Sequence, residues 1–210
     1  MWLRGLIGAA FLTLAGCEGV DLGPGLNFAG PASGPGVRTL IIMNGSLRIR
    51  GPEGYCIDQR ASRASAGFVV MGSCALVSDT PIAPANAGVL TFQAGEPGSA
   101  GVAGSERTLE TMLKSTEGRT LLSTDGDPAT VRDVQVTRQP GAVLVQFSDA
   151  GIEPVAGMQD LEWRAFSDLG GRLVTLALRV PAHDPMTPAQ GRAVMQQAIA
   201  ALRAVNTPQS

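Results

Sequence analysis

The rhythm of hydrophobic and polar positions changes along the chain. Residues 5–16 are almost uniformly apolar, residues 18–36 show no apolar period, and from Val37 onward short alternating segments take over. Thr39 to Met43 and Ser46 to Arg50 flank Asn44-Gly45, a pair that tolerates the positive φ angles of a two-residue hairpin turn. In the second of these strands Leu47 and Ile49 point one way; Ser46, Arg48 and Arg50 point the other, as on a solvated face. Further strands are predicted over 68–71 running on to 77, 89–92, 130–137, 142–147, 161–166 and 172–180. Asp160 and Glu162 alternate with Leu161 and Trp163 and read as exposed. Pro140-Gly141 and Gly170-Gly171 are short enough to join antiparallel neighbours. Two helices complete the pattern. One is expected over 106–117, after Ser105 as N-cap and stopping at Gly118. The other opens with Thr187 as N-cap, Pro188 in the first position and Gln190 closing a capping box. It should run to about Ala204, with Met195, Ile199, Leu202 and Val205 on a stripe that needs a sheet to cover.

These elements predict an α+β domain: an antiparallel sheet of about eight strands, hairpins included, packed by two helices, the longer one C-terminal. Over the last third of the chain the order of elements, a hairpin and then a helix, resembles the PsbP/Mog1-like sandwich. That resemblance carries no sequence motif and implies a fold, not a function. A length of 210 residues with 44% apolar content suits one ordinary domain with a real core.

Residues 1–17 add an address. Arg4 precedes an apolar run of twelve residues, about 18 Å of helix at ~1.5 Å each, well short of the ~30 Å hydrocarbon core. A secretory leader fits better than a membrane span. Leu14-Ala15-Gly16-Cys17 resembles the lipobox of bacterial lipoproteins. The resemblance implies that the Cys17 thiol carries diacylglycerol, that residues 1–16 are removed, and that acyl chains anchor the protein to a membrane facing the periplasm. Residues 17–37 then become a lipidated cysteine and a tether, with six glycines and three prolines from Gly19 to Gly36 and too little apolar surface to order itself. Residues 38–210 are left as a single periplasmic domain.

With Cys17 assigned to lipid, Cys56 and Cys74 remain, and the periplasm favours their oxidation. A Cys56–Cys74 bond is expected, closing a loop of about nineteen residues and contributing ~3 kcal/mol. It would staple the polar segment Gln59 to Gly67, which looks unable to order itself. The alternative, a redox or metal pair, lacks the usual Cys-x-x-Cys spacing.

Candidate chemistry is sparse. Sixteen Lys+Arg against eighteen Asp+Glu give no general attraction to nucleic acid or to an anionic surface. Three cysteines and one histidine are too few for a Cys-ligated cluster or a zinc finger, and neither a cofactor nor a metal is implied. The nucleophile elbow, the zincin motif and the phosphate-binding loop are missing, and the glycines of Gly95 to Gly104 read as a flexible loop. Asp125-Gly126-Asp127 with Asp133 falls short of a calcium loop and reads as a polar turn. His183, followed by Asp184, is the one residue around which a site without a motif could form. No catalytic residue is assigned. The sequence therefore predicts a lipid-anchored periplasmic binding or accessory protein of the envelope, with a membrane and an unidentified envelope protein as partners. A small-ligand carrier, or an enzyme centred near His183, is the alternative.

Overall fold

The computed structural model describes residues 34–151 and 156–207. The leader, Cys17 and most of the tether lie outside the described residues. Nine strands and four helices follow in chain order: β1 (Thr39–Ile42), β2 (Leu47–Arg50), β3 (Tyr55–Arg63), β4 (Phe68–Ser73), α1 (Cys74–Val77), β5 (Val89–Ala94), α2 (Glu106–Lys114), α3 (Thr116–Leu122), β6 (Val131–Gln139), β7 (Ala142–Asp149), β8 (Leu161–Leu169), β9 (Arg172–Arg179) and α4 (Pro188–Asn206). Strands β3 to β9 form one antiparallel sheet in the order β3-β4-β5-β9-β8-β7-β6, while β1 and β2 pair apart as a hairpin. The architecture is α+β, as the alternation of apolar positions required.

Strand parity decides what each face holds. Ile57, Met71, Leu90, Leu178 and Trp163 line up across the ladders on one face, with Phe92, Leu176 and Ala165 in the next row. That face is buried under the β1–β2 hairpin, through Ile42, Leu47 and Ile49, and under α4, through Val194, Met195, Ala198, Ile199 and Leu202. On the opposite face Val143, Val145 and Phe147 meet Val102, Leu113 and Leu122 beneath α2 and α3. The two short helices cover only the β6–β8 part of that face; farther along it Thr91, Thr175 and Ala177 are half-buried.

The C-terminal helix begins as its sequence dictates. Thr187 Oγ1 accepts the Gln190 amide, and Gln190 Oε1 accepts the Thr187 amide, closing the capping box ahead of Pro188. The other helix expected as one piece is two. Ser115 ends α2 and caps α3, its Oγ accepting the amide of Gly118, which therefore sits inside α3 instead of stopping a helix. A Cβ on Gly118 would overlap Met112 O, so glycine is what lets α3 fold tightly against the end of α2.

Other expectations are corrected. The β1–β2 turn spans four residues, because Ile42 pairs with Leu47 and Met43, Asn44 and Gly45 all take positive φ. Gln59 to Gly67 is ordered: β3 runs to Arg63, and Asp58 Oδ1 accepts the amides of Arg60 and Ala61 at a bulge. The chain after β4 turns into α1 instead of continuing as a strand to Val77. Residues 34–37 are bonded to the domain. Gly34 exchanges hydrogen bonds with Asp79, Gly36 N donates to Thr80 Oγ1, and Val37 O accepts the Ile57 amide. The Gly95–Gly104 loop is pinned, because the Asp168 carboxylate accepts the amides of Gly101, Val102 and Ala103 at 2.9 Å each.

Candidate functional site

Cys56 and Cys74 form a disulfide, with Cα atoms 4.7 Å apart and residue exposures of 1% and 0%. It ties β3 to the first residue of α1. Gly36 packs directly on the sulfur of Cys56, where any Cβ would overlap it, so the entering chain seals the bond from solvent.

The cluster with the strongest electrostatics is one that alternation placed outside. Glu162 is buried, although its neighbours in sequence suggested an exposed strand. It lies one step beyond the Trp163–Leu178 pair of β8 and β9, and its Oε1 meets Arg179 Nη2 at 2.5 Å. Arg164 Nη2 stands 3.7 Å from Oε2, while its guanidinium lies over the Phe147 ring and donates to Leu121 O. Arg179 also donates to Thr124 Oγ1, and Asp149 accepts the Thr124 amide at 2.7 Å. Burial raises the Glu162 carboxyl against the opposing pull of Arg179 and Arg164; burial likewise lowers Arg164. Burial also works to raise Asp149, but hydrogen bonds from Thr130, Thr124 and Gly151 outweigh it and hold that carboxyl below its usual range. These partners belong to α3, β7, β8, β9 and the loops that follow α3 and β7. The cluster is a clamp that holds the end of α3 to the sheet.

His183 stands exposed in the turn between β9 and α4, and among the described residues it makes no ion pair within 4.0 Å. Asp125 and Asp127 accept the amides of Asp127 and Ala129, as a polar turn does. Among the described residues no three His, Cys, Asp or Glu side chains are grouped to hold a metal.

What remains is a groove of about 970 Å³ along α4. One wall is the helix, through Val194, Gln197, Ala200, Ala201 and Ala204; the other is the segment Ile82 to Asn86. Arg38, Arg50 and Glu53 bring charge to it, and Tyr55 forms part of its floor. The proline-bearing wall is held in place. Ile82 O accepts the Ala75 amide, Tyr55 Oη donates to Asn86 O at 2.9 Å, and Gly54, at φ +82°, packs against Pro84 where no side chain would fit. Burial raises the Tyr55 phenol far above its usual range, so it stays a neutral donor. A second groove of about 740 Å³ adjoins the first through Arg50, Ala204 and Val205 and is lined by Arg48 and Asn206. Asn206 grips the backbone of Arg48 from the helix end, accepting its N–H at 3.0 Å and donating to its C=O. The β2 residues that read as a solvated face are thus exposed, and they also edge a continuous depression.

The pattern of β2 gave Arg48 and Arg50 their exposure, whereas the groove depends on contacts between residues more than a hundred positions apart, which no local spacing encodes. No protein-family model and no curated protein matches the chain. The crystal structure of protein CV1439 from Chromobacterium violaceum aligns over 76% of this chain and 78% of its own, at 12% identity and a TM-score of 0.26, and carries no argument at that score.

Proposed function

We propose that this protein is a lipid-anchored periplasmic binding protein of the bacterial envelope, held by Cys17 and acting through the groove along α4. The observation that carries this reading is the position of the chain's entry. The described residues begin at Gly34, and Arg38, four residues later, already lines the groove. Seventeen residues separate Gly34 from Cys17, at most ~60 Å of fully extended chain. Anchored there, the binding surface stays within reach of the bilayer, where a modest affinity suffices because the effective concentration is high. Among the described residues no helix is long and apolar enough to cross a membrane.

The test is fractionation of cells expressing wild type and Cys17→Ser, with mass measurement of the processed protein. Acyl mass on wild type alone, with membrane association that survives high salt, supports the reading. Wild type without acyl mass, or a Cys17→Ser protein that still sediments with membranes in high salt, overturns it. A second reading, a carrier of a small ligand, is favoured by the volume of the groove, which lies in the ~300–1,000 Å³ range of small-molecule sites. Native mass spectrometry of protein taken from cells checks it; a bound mass released on denaturation is the expected sign.

A further inference from the structure

We infer that the groove and its extension past Arg50 take the phosphodiester headgroups of the bilayer that carries the anchor, docking the domain face-on against an anionic surface; this rests on the anchored reading above. The chain as a whole is slightly acidic, with a formal net charge of −2, so a cationic face is a matter of local placement. Thr39 pairs with Arg50, which brings Arg38 and Arg50 together at one groove, and Arg48 follows two residues along β2 at the adjoining one. Among the described residues Glu53 is the one carboxylate lining either groove, against three guanidinium groups. Arg38 Nε is shielded from solvent and meets no acceptor among the described residues, so it is the outer nitrogens of this guanidinium that are offered to the groove. Guanidinium groups suit phosphate oxygens because their fork of donors matches them two at a time. The root of the tether supplies the occupant's identity. Arg38 lines the groove and lies twenty-one residues after Cys17 in the chain, so a tethered domain meets lipid with this face before any other.

The apolar side chains of the two core layers, with Val37 and Leu40 packed against them, lie within residues 37–202, so a chain of residues 18–210 keeps the fold and removes both leader and lipidation site. This chain should co-sediment with phosphatidylglycerol-containing vesicles, weakly with pure phosphatidylcholine vesicles, and less as salt rises. Arg48→Gln with Arg50→Gln, both exposed positions, should weaken partition about 25-fold, at roughly fivefold for each basic residue near an anionic surface. Gln197→Glu, which places a negative charge on the groove's helix wall, should weaken it as well. Arg132→Gln on β6, at the opposite edge of the sheet, should leave it unchanged. Equal binding to both kinds of vesicle, or partition indifferent to the groove variants, overturns the proposal. So does inorganic phosphate binding at the arginines without vesicle binding, which would make the site one for a free anion. The anchor stands or falls separately, on acyl mass at Cys17.

Discussion

Glu162 and Arg179 face each other across β8 and β9, with side-chain exposures of 5% and 19%. The pair sits at the end of the sheet, where Arg179 also bonds Thr124 after α3. Removing one partner of a buried pair leaves an uncompensated charge, typically a loss of ~3 kcal/mol or more. Arg179→Met is therefore expected to destabilise the domain by about 3 kcal/mol at neutral pH, read from urea midpoints. The loss should shrink in acid. Burial already raises the Glu162 carboxyl above its usual 4.5, and without Arg179 it should rise further. A raised carboxyl favours folding below the unfolded-state value and loses that contribution as pH rises through the folded one. The variant's deficit should accordingly grow as pH rises between the folded-state values of wild type and variant, both above 4.5; a deficit independent of pH would remove Glu162 as its cause.

Gly118 makes the second prediction. Its Cα faces the last turn of α2, where Met112 O and Leu113 leave no room for a methyl group. Alanine favours helices by up to ~1 kcal/mol over glycine, so propensity alone predicts that Gly118→Ala stabilises α3. Packing predicts the reverse, because overfilling a closed contact costs ~1–3 kcal/mol. The obstacles are backbone atoms that cannot rotate away. Gly118→Ala should lower the thermal midpoint by several degrees, and a raised midpoint in calorimetry would show that propensity wins.

How much of this was legible beforehand depends on the range of the interaction. Strand parity, the two glycine turns and the Thr187–Gln190 capping box are decided within a few residues, and each appears where the pattern of side chains puts it. Glu162 was misplaced because alternation reports only that two faces differ, and it took the chain after α3 to bury the polar one. The break at Ser115 was missed for a related reason: glycine after a helix and glycine inside a tight helix junction look alike in one dimension. Gln59 to Gly67 reads as too polar to order, yet at the β-bulge Asp58 accepts the amides of Arg60 and Ala61 and holds the segment in place. The groove lay furthest from view, since its two walls meet only once α4 has packed beside the hairpin.

The Cys56–Cys74 bond should respond to reductant only after unfolding. Both sulfurs belong to residues at or below 1% exposure, and the chain at Gly36 lies over one of them. Dithiothreitol alone is expected to leave two thiols untitratable, while dithiothreitol in urea releases them. Substituting both with alanine should cost about 3 kcal/mol, as expected for a cross-link spanning 18 residues. Thiols released by dithiothreitol without denaturant would show that the chain at Gly36 does not seal the bond.

Exposed His183 makes a contrasting case. His183→Ala should change stability by less than ~0.5 kcal/mol, since nothing in the fold rests on the imidazole. Growth under envelope stress, measured beside a deletion strain, separates the two readings of the residue. A variant that matches wild type removes the site that an enzyme near His183 would require, and a variant that behaves like the deletion restores it.

Gly191 lies against the indole of Trp163, and this contact sets how closely α4 approaches the sheet. Both residues are buried, and a Cβ at Gly191 would overlap the ring at three of its atoms. Trp163 cannot yield easily, because it is fixed between Gln146 of β7 and Leu178 of β9 by the ladder on either side. Gly191→Ala must therefore lift the first turns of α4, and the helix carries Val194 and Gln197 of the groove wall with it. The expected cost is about 1–3 kcal/mol by overpacking, offset in part by the helix preference of alanine. Relieving the ring should relieve the helix: Trp163→Phe in the Gly191→Ala background is expected to cost less than it does alone. A double-mutant cycle from urea midpoints measures that coupling, and additive losses would mean that the two residues do not set the approach of α4.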